Sequence, residues 1–94
     1  TLKWIAASDQ KPPKSKTGSF TTVVFENQSG RKVKLYWVEY GGGLKIYGTL
    51  DIGATREQNT FSDATWLITD EKDKPLGYFI STQKLAKAVI PKAK

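Results

Sequence analysis

The sequence contains no cysteine, no histidine and no methionine. Without cysteine no disulfide can staple the fold and no thiolate can attack a substrate or hold zinc, which leaves the redox compartment undecided. Without histidine there is no imidazole to move protons near neutral pH, so Ser-His-Asp and Cys-His nucleophile systems are excluded. Any catalysis would have to rest on carboxylates, lysine or hydroxyls. Long apolar runs are also missing, and none approaches the roughly 18 to 20 residues of a membrane span. The chain starts at Thr1, so we expect a processed mature chain or an excised piece; removal of a signal peptide, with a secreted or periplasmic location, fits that start.

What is present is enough for one folded domain: 94 residues, 38% hydrophobic, with three Trp, four Tyr and four Phe. The formal charge is +6, from 15 basic against 9 acidic residues. That excess lies at the ends, with +3 over residues 1–20, +4 over residues 81–94 and −1 between them. Arginine occurs only at Arg31 and Arg56. A phosphate-reading face gathers Lys and Arg on one structured surface and favours the arginine fork, so nucleic acid is not the expected partner. Solvated lysine tails account for the charge.

Residues 1–20 hold an apolar cluster, Leu2, Trp4 and Ile5, and then a Lys-, Pro- and Ser-rich stretch with adjacent prolines Pro12 and Pro13. This composition predicts a basic, extended, mobile arm, with the place of Trp4 undecided between folding back and belonging to an upstream segment. Residues 21–90 read as the domain and residues 91–94 as a short basic tail.

From Thr21 onward, short runs of β-branched and aromatic residues alternate with turn chemistry. The first strand is expected over Thr21 to Asn27, and Asn27-Gln28-Ser29-Gly30 turns the chain. Lys32 to Tyr40 alternates, with Val33, Leu35 and Trp37 on one face and Lys34, Tyr36, Val38 and Tyr40 on the other. Leu44 to Leu50 follows a triple glycine, and Ala54 to Phe61 is polar enough to be an edge strand with free backbone groups. Thr65 to Asp70, Leu76 to Ser81 and Gln83 to Ile90 complete the set, although Lys84, Lys87 and the alanines Ala86 and Ala88 also suit a helix. Seven short strands and no clear helix predict an all-β fold, a seven-stranded β-sandwich.

Four groups of residues carry a family likeness: Val23-Val24-Phe25-Glu26-Asn27-Gln28-Ser29, Leu35-Tyr36-Trp37-Val38, Tyr47-Gly48-Thr49-Leu50 with Gly53 and Arg56, and Trp66-Leu67-Ile68-Thr69-Asp70. In this order and spacing they resemble the von Hippel-Lindau (VHL) β domain family, from about Thr21 to Val89. The resemblance implies a prealbumin-like seven-stranded sandwich that binds an extended peptide through a hydroxylated proline. The proline ring then sits among aromatics that carry over to Trp37, Tyr47 and Trp66. The hydroxyl-gripping serine and histidine fall at Thr60 and Ala64, and a tyrosine falls at Phe61. Thr60 keeps a hydroxyl whereas Ala64 has no polar side chain, so one of two partners for a proline hydroxyl is gone, at a cost of about 1–3 kcal/mol. The family's ligase role needs a helical domain after the β domain, and the chain stops soon after its last strand, so no elongin-type partner is expected.

Trp37, sharing a face with Val33 and Leu35, reads by itself as core. Tyr47 precedes Gly48 and is the best candidate for a surface aromatic; Trp66 suits either full burial or a pocket floor. Gln58, Asn59 and Thr60 offer side-chain hydrogen bonds along the polar edge, with Phe61 beside them. The aspartates Asp51, Asp63, Asp70 and Asp73 do not have calcium-loop spacing and fit turn capping, so no metal and no cofactor is expected. Acids placed mainly at turns also argue against a glycosidase pair, and no catalytic residue is assigned. The leading expectation is a non-enzymatic module that binds a proline- or hydroxyproline-containing peptide or protein with Trp37, Tyr47, Gln58, Asn59, Thr60, Phe61 and Trp66. A structural or adhesion-type accessory domain of an exported or larger assembly, or a carbohydrate-binding module, is the alternative.

Overall fold

Period-two alternation of apolar residues buries one face of each strand, and two such faces packed together make the core. In the computed structural model, which describes residues 1–92, eight strands follow in chain order: β1 (Ile5–Ala6), β2 (Phe20–Asn27), β3 (Val33–Val38), β4 (Leu44–Leu50), β5 (Thr55–Phe61), β6 (Thr65–Thr69), β7 (Pro75–Ile80) and β8 (Ala86–Ile90). They form a five-stranded sheet in the order β1-β7-β6-β3-β4 and a three-stranded sheet in the order β5-β2-β8. Pairing is antiparallel except for β2 with β8. The last strand is therefore β, as the first of its two readings has it, and no described residue is helical.

Val23 and Phe25 from one sheet meet Val33, Leu35, Trp66, Ile68 and Phe79 from the other, all essentially inaccessible to solvent. Phe25 sets its ring edge-on to Trp66 at 5.7 Å and to Phe79 at 6.2 Å. Such aromatic pairs add about 0.5–1.5 kcal/mol each beyond the area they bury.

The Asn-x-Ser turn is a structural knot. The buried Asn27 amide donates to the carbonyls of Arg31, Leu50 and Asp51 at 2.8, 3.1 and 3.0 Å, and its Oδ1 accepts from the Ser29 amide and hydroxyl. It thus ties the end of β2 to the end of β4.

The N-terminal segment departs from the expected mobile arm. Leu2 is buried and its amide donates to the Lys87 carbonyl at 2.7 Å; Ile5–Ala6 pairs with β7 as an eighth strand. Trp4 folds back, tilted against Phe79 at 5.2 Å, over a strand position that only glycine fits: a Cβ on Gly77 would lie 2.3 Å from the indole. Further along, the Ser15 amide donates to the Val38 carbonyl and the Ser15 hydroxyl accepts from the Thr65 amide at 2.8 Å. Residues 7–14 thereby lie along the outer face of the large sheet, where Val38 and Leu67 are buried beneath them. Composition points to mobility because prolines and lysines hide what the backbone does at the two ends of the stretch, where the Ala7 and Ser15 amides donate to the Leu76 and Val38 carbonyls of the sheet. Of the basic tail, Pro91 and Lys92 are described, while Ala93 and Lys94 lie outside the described residues.

Candidate functional site

At one end of the sandwich the two sheets part, and the inner face of β3 runs out with Trp37 opposite Trp66 of β6. On the far side of β3, Leu35 pairs with Gly48 and Tyr36 with Ile46, so Tyr47 is an extra residue in β4. A β-bulge of this kind re-aims a side chain. Here it turns Tyr47 inward, edge-on to Trp66 with 5.0 Å between ring centroids. Gly48 takes φ +151 at the bulge, and a Cβ there would meet the Arg56 guanidinium at 2.6 Å. β4 of one sheet and β5 of the other therefore approach each other across the open edge.

The result is a recess of about 140 Å3 lined by Lys16, Trp37, Tyr40, Tyr47, Asn59, Thr60, Phe61, Ala64 and Trp66. Small-molecule sites run to roughly 300–1,000 Å3, so this one suits a single ring or side chain. Trp66 forms the floor: only 1% exposed, it donates its indole N–H to Thr60 Oγ1 at 3.3 Å. A threonine hydroxyl accepts with its lone pairs and keeps its own hydrogen to donate, so Thr60 can still bond a guest. Trp37 is half-buried because the strand ends there, although it shares the face of Val33 and Leu35 as its alternation requires. Its ring meets Tyr40 edge-on at 5.2 Å, and Tyr40 is 50% exposed.

Six of the seven sequence-nominated residues are brought together here: Trp37, Tyr47, Asn59, Thr60, Phe61 and Trp66. Asn59 and Phe61 alternate to the other face of β5 and contribute to the rim. Asn59 Oδ1 accepts from Thr22 at 3.2 Å, and Phe61 stands edge-on to Phe20 at 6.1 Å. Gln58 is not among the walls. It points inward with Arg56 and Thr60, and its Oε1 accepts from Arg56 Nε at 3.1 Å. Three wall residues escaped nomination. Tyr40 belongs to the far face by strict alternation, Ala64 has no functional group to notice, and Lys16 lies in the segment taken for a free arm.

A charged cluster on the outer face is separate from the recess. Asp73 accepts from the Tyr36 hydroxyl and from Lys34 Nζ, which hold its carboxyl below the ordinary carboxylate range, while the shared bond raises Tyr36 and Lys34 above theirs.

Taken together, the molecule is a two-sheet β-sandwich domain with an aromatic recess at the edge where its sheets part. The family model of the VHL beta domain matches residues 14–84, and the chain belongs to that family. The match includes Lys16 and every other wall of the recess. No curated protein matches the chain. The all-β sandwich and the family resemblance expected from the sequence hold, with eight strands in place of seven.

Proposed function

We propose that the protein is a non-enzymatic binding module that takes an extended, proline- or hydroxyproline-containing peptide in the aromatic recess beside its edge strands. Family membership points to a peptide-binding β domain at the coarser level. The observation that carries the finer reading is the convergence of Trp37, Tyr40, Tyr47 and Trp66 on a space of one ring's size with the Thr60 hydroxyl at its wall. Aromatic faces pack well on the polarised C–H groups of a proline ring, and the fixed φ of proline lowers the cost of ordering an extended ligand. Among the described residues β4 pairs only with β3 and β5 only with β2, so each leaves one backbone edge for a guest chain.

Specificity follows from two side chains. Thr60 supplies one hydroxyl partner; the apolar, buried Ala64 supplies none. Hydroxylation of the guest proline then adds far less than in a site with two polar partners. Calorimetric titration tests the proposal: a short proline peptide binds the wild-type chain, its alanine counterpart binds at least about ten-fold more weakly, and Trp37→Ala removes the difference. Equal binding of the proline and alanine peptides would defeat it.

A further inference from the structure

We infer that the peptide taken by this recess carries a carboxylate side chain within one or two residues of its proline, and that Lys16 is the residue that selects it. The inference rests on the reading of the recess as a proline-peptide site and names the ligand class more closely. Among the described residues Lys16 is the one charged residue of the walls, and no described aspartate or glutamate joins it there. Its exposed side chain hangs from a fixed point, since its amide donates to the Asp63 carbonyl at 2.9 Å and the adjacent Ser15 is buried and bonded to Thr65.

Other cations stand nearby. Lys45 Nζ lies 5.6 Å from the Tyr47 ring centroid, and the Arg56 guanidinium lies against Gly48 beside that tyrosine. The ion pairs formed among the described residues use Lys32, Lys34 and Lys87, and so consume Asp51, Asp73 and Glu26 away from the recess. Three acids flank the site. Glu39 turns its carboxylate towards Gly43 within the β3–β4 hairpin, Asp63 meets Lys16 through its backbone carbonyl, and Glu57 sits on the outer face of β5. None of the three lines the recess.

An aromatic hollow with a lysine at its wall favours an anion beside an apolar group. Phosphate recognition draws on the planar arginine fork, whereas a single lysine is a point charge suited to one carboxylate. An extended chain advances roughly 3.3 Å per residue, so a side chain in reach of Lys16 belongs to a close neighbour of the ring in the recess.

The experiment titrates the full chain with three peptides of equal length: glutamate next to proline, glutamine next to proline, and glutamate with alanine in place of proline. At low salt the Glu-Pro peptide is expected to bind roughly two- to five-fold tighter than the Gln-Pro peptide, the equivalent of an ion pair worth up to about 1 kcal/mol. That ratio falls to one in Lys16→Gln and in salt of about 1 M, where the Debye length is only about 3 Å, and persists in Lys16→Arg. Equal binding of the two proline peptides to the wild-type chain overturns the carboxylate preference while the proline reading stands. A glutamate preference that survives Lys16→Gln overturns the assignment to Lys16. If the glutamate peptide binds as well with alanine as with proline, or neither proline peptide binds, the proline reading fails and this inference fails with it.

Discussion

The indole N–H of Trp66 on β6 bonds Thr60 Oγ1 on β5, across the open edge between the two sheets. One hydrogen bond thereby sets the floor of the recess and the orientation of the threonine hydroxyl in its wall. Its removal has a structural and a functional reading. Thr60→Val keeps the β-branched shape and deletes the acceptor, which leaves a buried N–H unpaired at a cost of about 1–3 kcal/mol. At 3.3 Å the bond is longer than the common 2.9–3.0 Å, so the loss falls near the lower end. Urea unfolding measures it, and Thr60→Ser restores most of the stability.

Asn27 anchors more of the structure than Thr60. With five hydrogen bonds made by one buried side chain, Asn27→Ala takes a partner from the buried Leu50 carbonyl and from the Ser29 amide and hydroxyl, while the Arg31 and Asp51 carbonyls keep Ser29 Oγ and the Ala54 amide, and is expected to cost about 3 kcal/mol. For a domain of this size that is a fall in Tm of at least about 12 °C. Gln28→Ala, at an exposed neighbouring position, is expected to leave Tm nearly unchanged.

The N-terminal segment is held by its first contacts. Gly77→Ala drives a methyl into the Trp4 indole, which the packing on Phe79 cannot absorb, so Trp4 must leave. The expected readouts are a red shift in tryptophan emission and rapid tryptic cleavage after Lys14 or Lys16, since Pro12 blocks cleavage after Lys11. Wild-type protein, with that segment bonded to the sheet, resists cleavage there under the same conditions.

Acid should loosen the fold through two surface aspartates. The Tyr36 and Lys34 bonds depress Asp73, and the backbone amides of Lys74 and Lys72 depress Asp70. A carboxyl with a folded pKa below its unfolded value adds stability above the unfolded pKa and loses it as pH falls through the folded one. The denaturant midpoint is therefore expected to decline as pH drops below about 4, the ordinary aspartate range. The double variant Asp70→Asn/Asp73→Asn flattens that part of the curve. Tyr36 and Lys34, raised by the same contact, work in the opposite direction: their contribution is present below the unfolded pKa near 10 and is lost as pH rises further.

Much of this architecture can be read from alternation alone. The inner faces of β2, β3 and β6 follow directly from Val23-Val24-Phe25, Val33 to Val38 and Trp66-Leu67-Ile68. The continuous apolar run in β6 also held an unread signal, since a strand apolar on both sides has something covering each of them. The cover over Leu67 is the stretch of residues 7–14, while Leu2 and Trp4 just before it pack against the inner core. The bulge is a different matter. Nothing in Ile46-Tyr47-Gly48 separates a bulged from a regular strand until Leu35 and Tyr36 choose their partners, and that choice turns Tyr47 inward. Gln58 fails as a wall residue for a comparable reason: its neighbour Arg56 engages its amide oxygen, a contact that spacing does not reveal.

The recess, and not another surface, is predicted to take the proline peptide. The three tryptophan indole N–H resonances in a nitrogen-proton correlation spectrum report on it directly, because Trp37 and Trp66 line the recess whereas Trp4 is not among its walls and packs on Phe79 of β7. On titration with a proline peptide to millimolar concentration, Trp37 and Trp66 are predicted to shift together with the amides of Tyr47 and Thr60, and Trp4 to stay in place. A spectrum in which none of these moves, or in which Trp4 alone moves, would contradict the account.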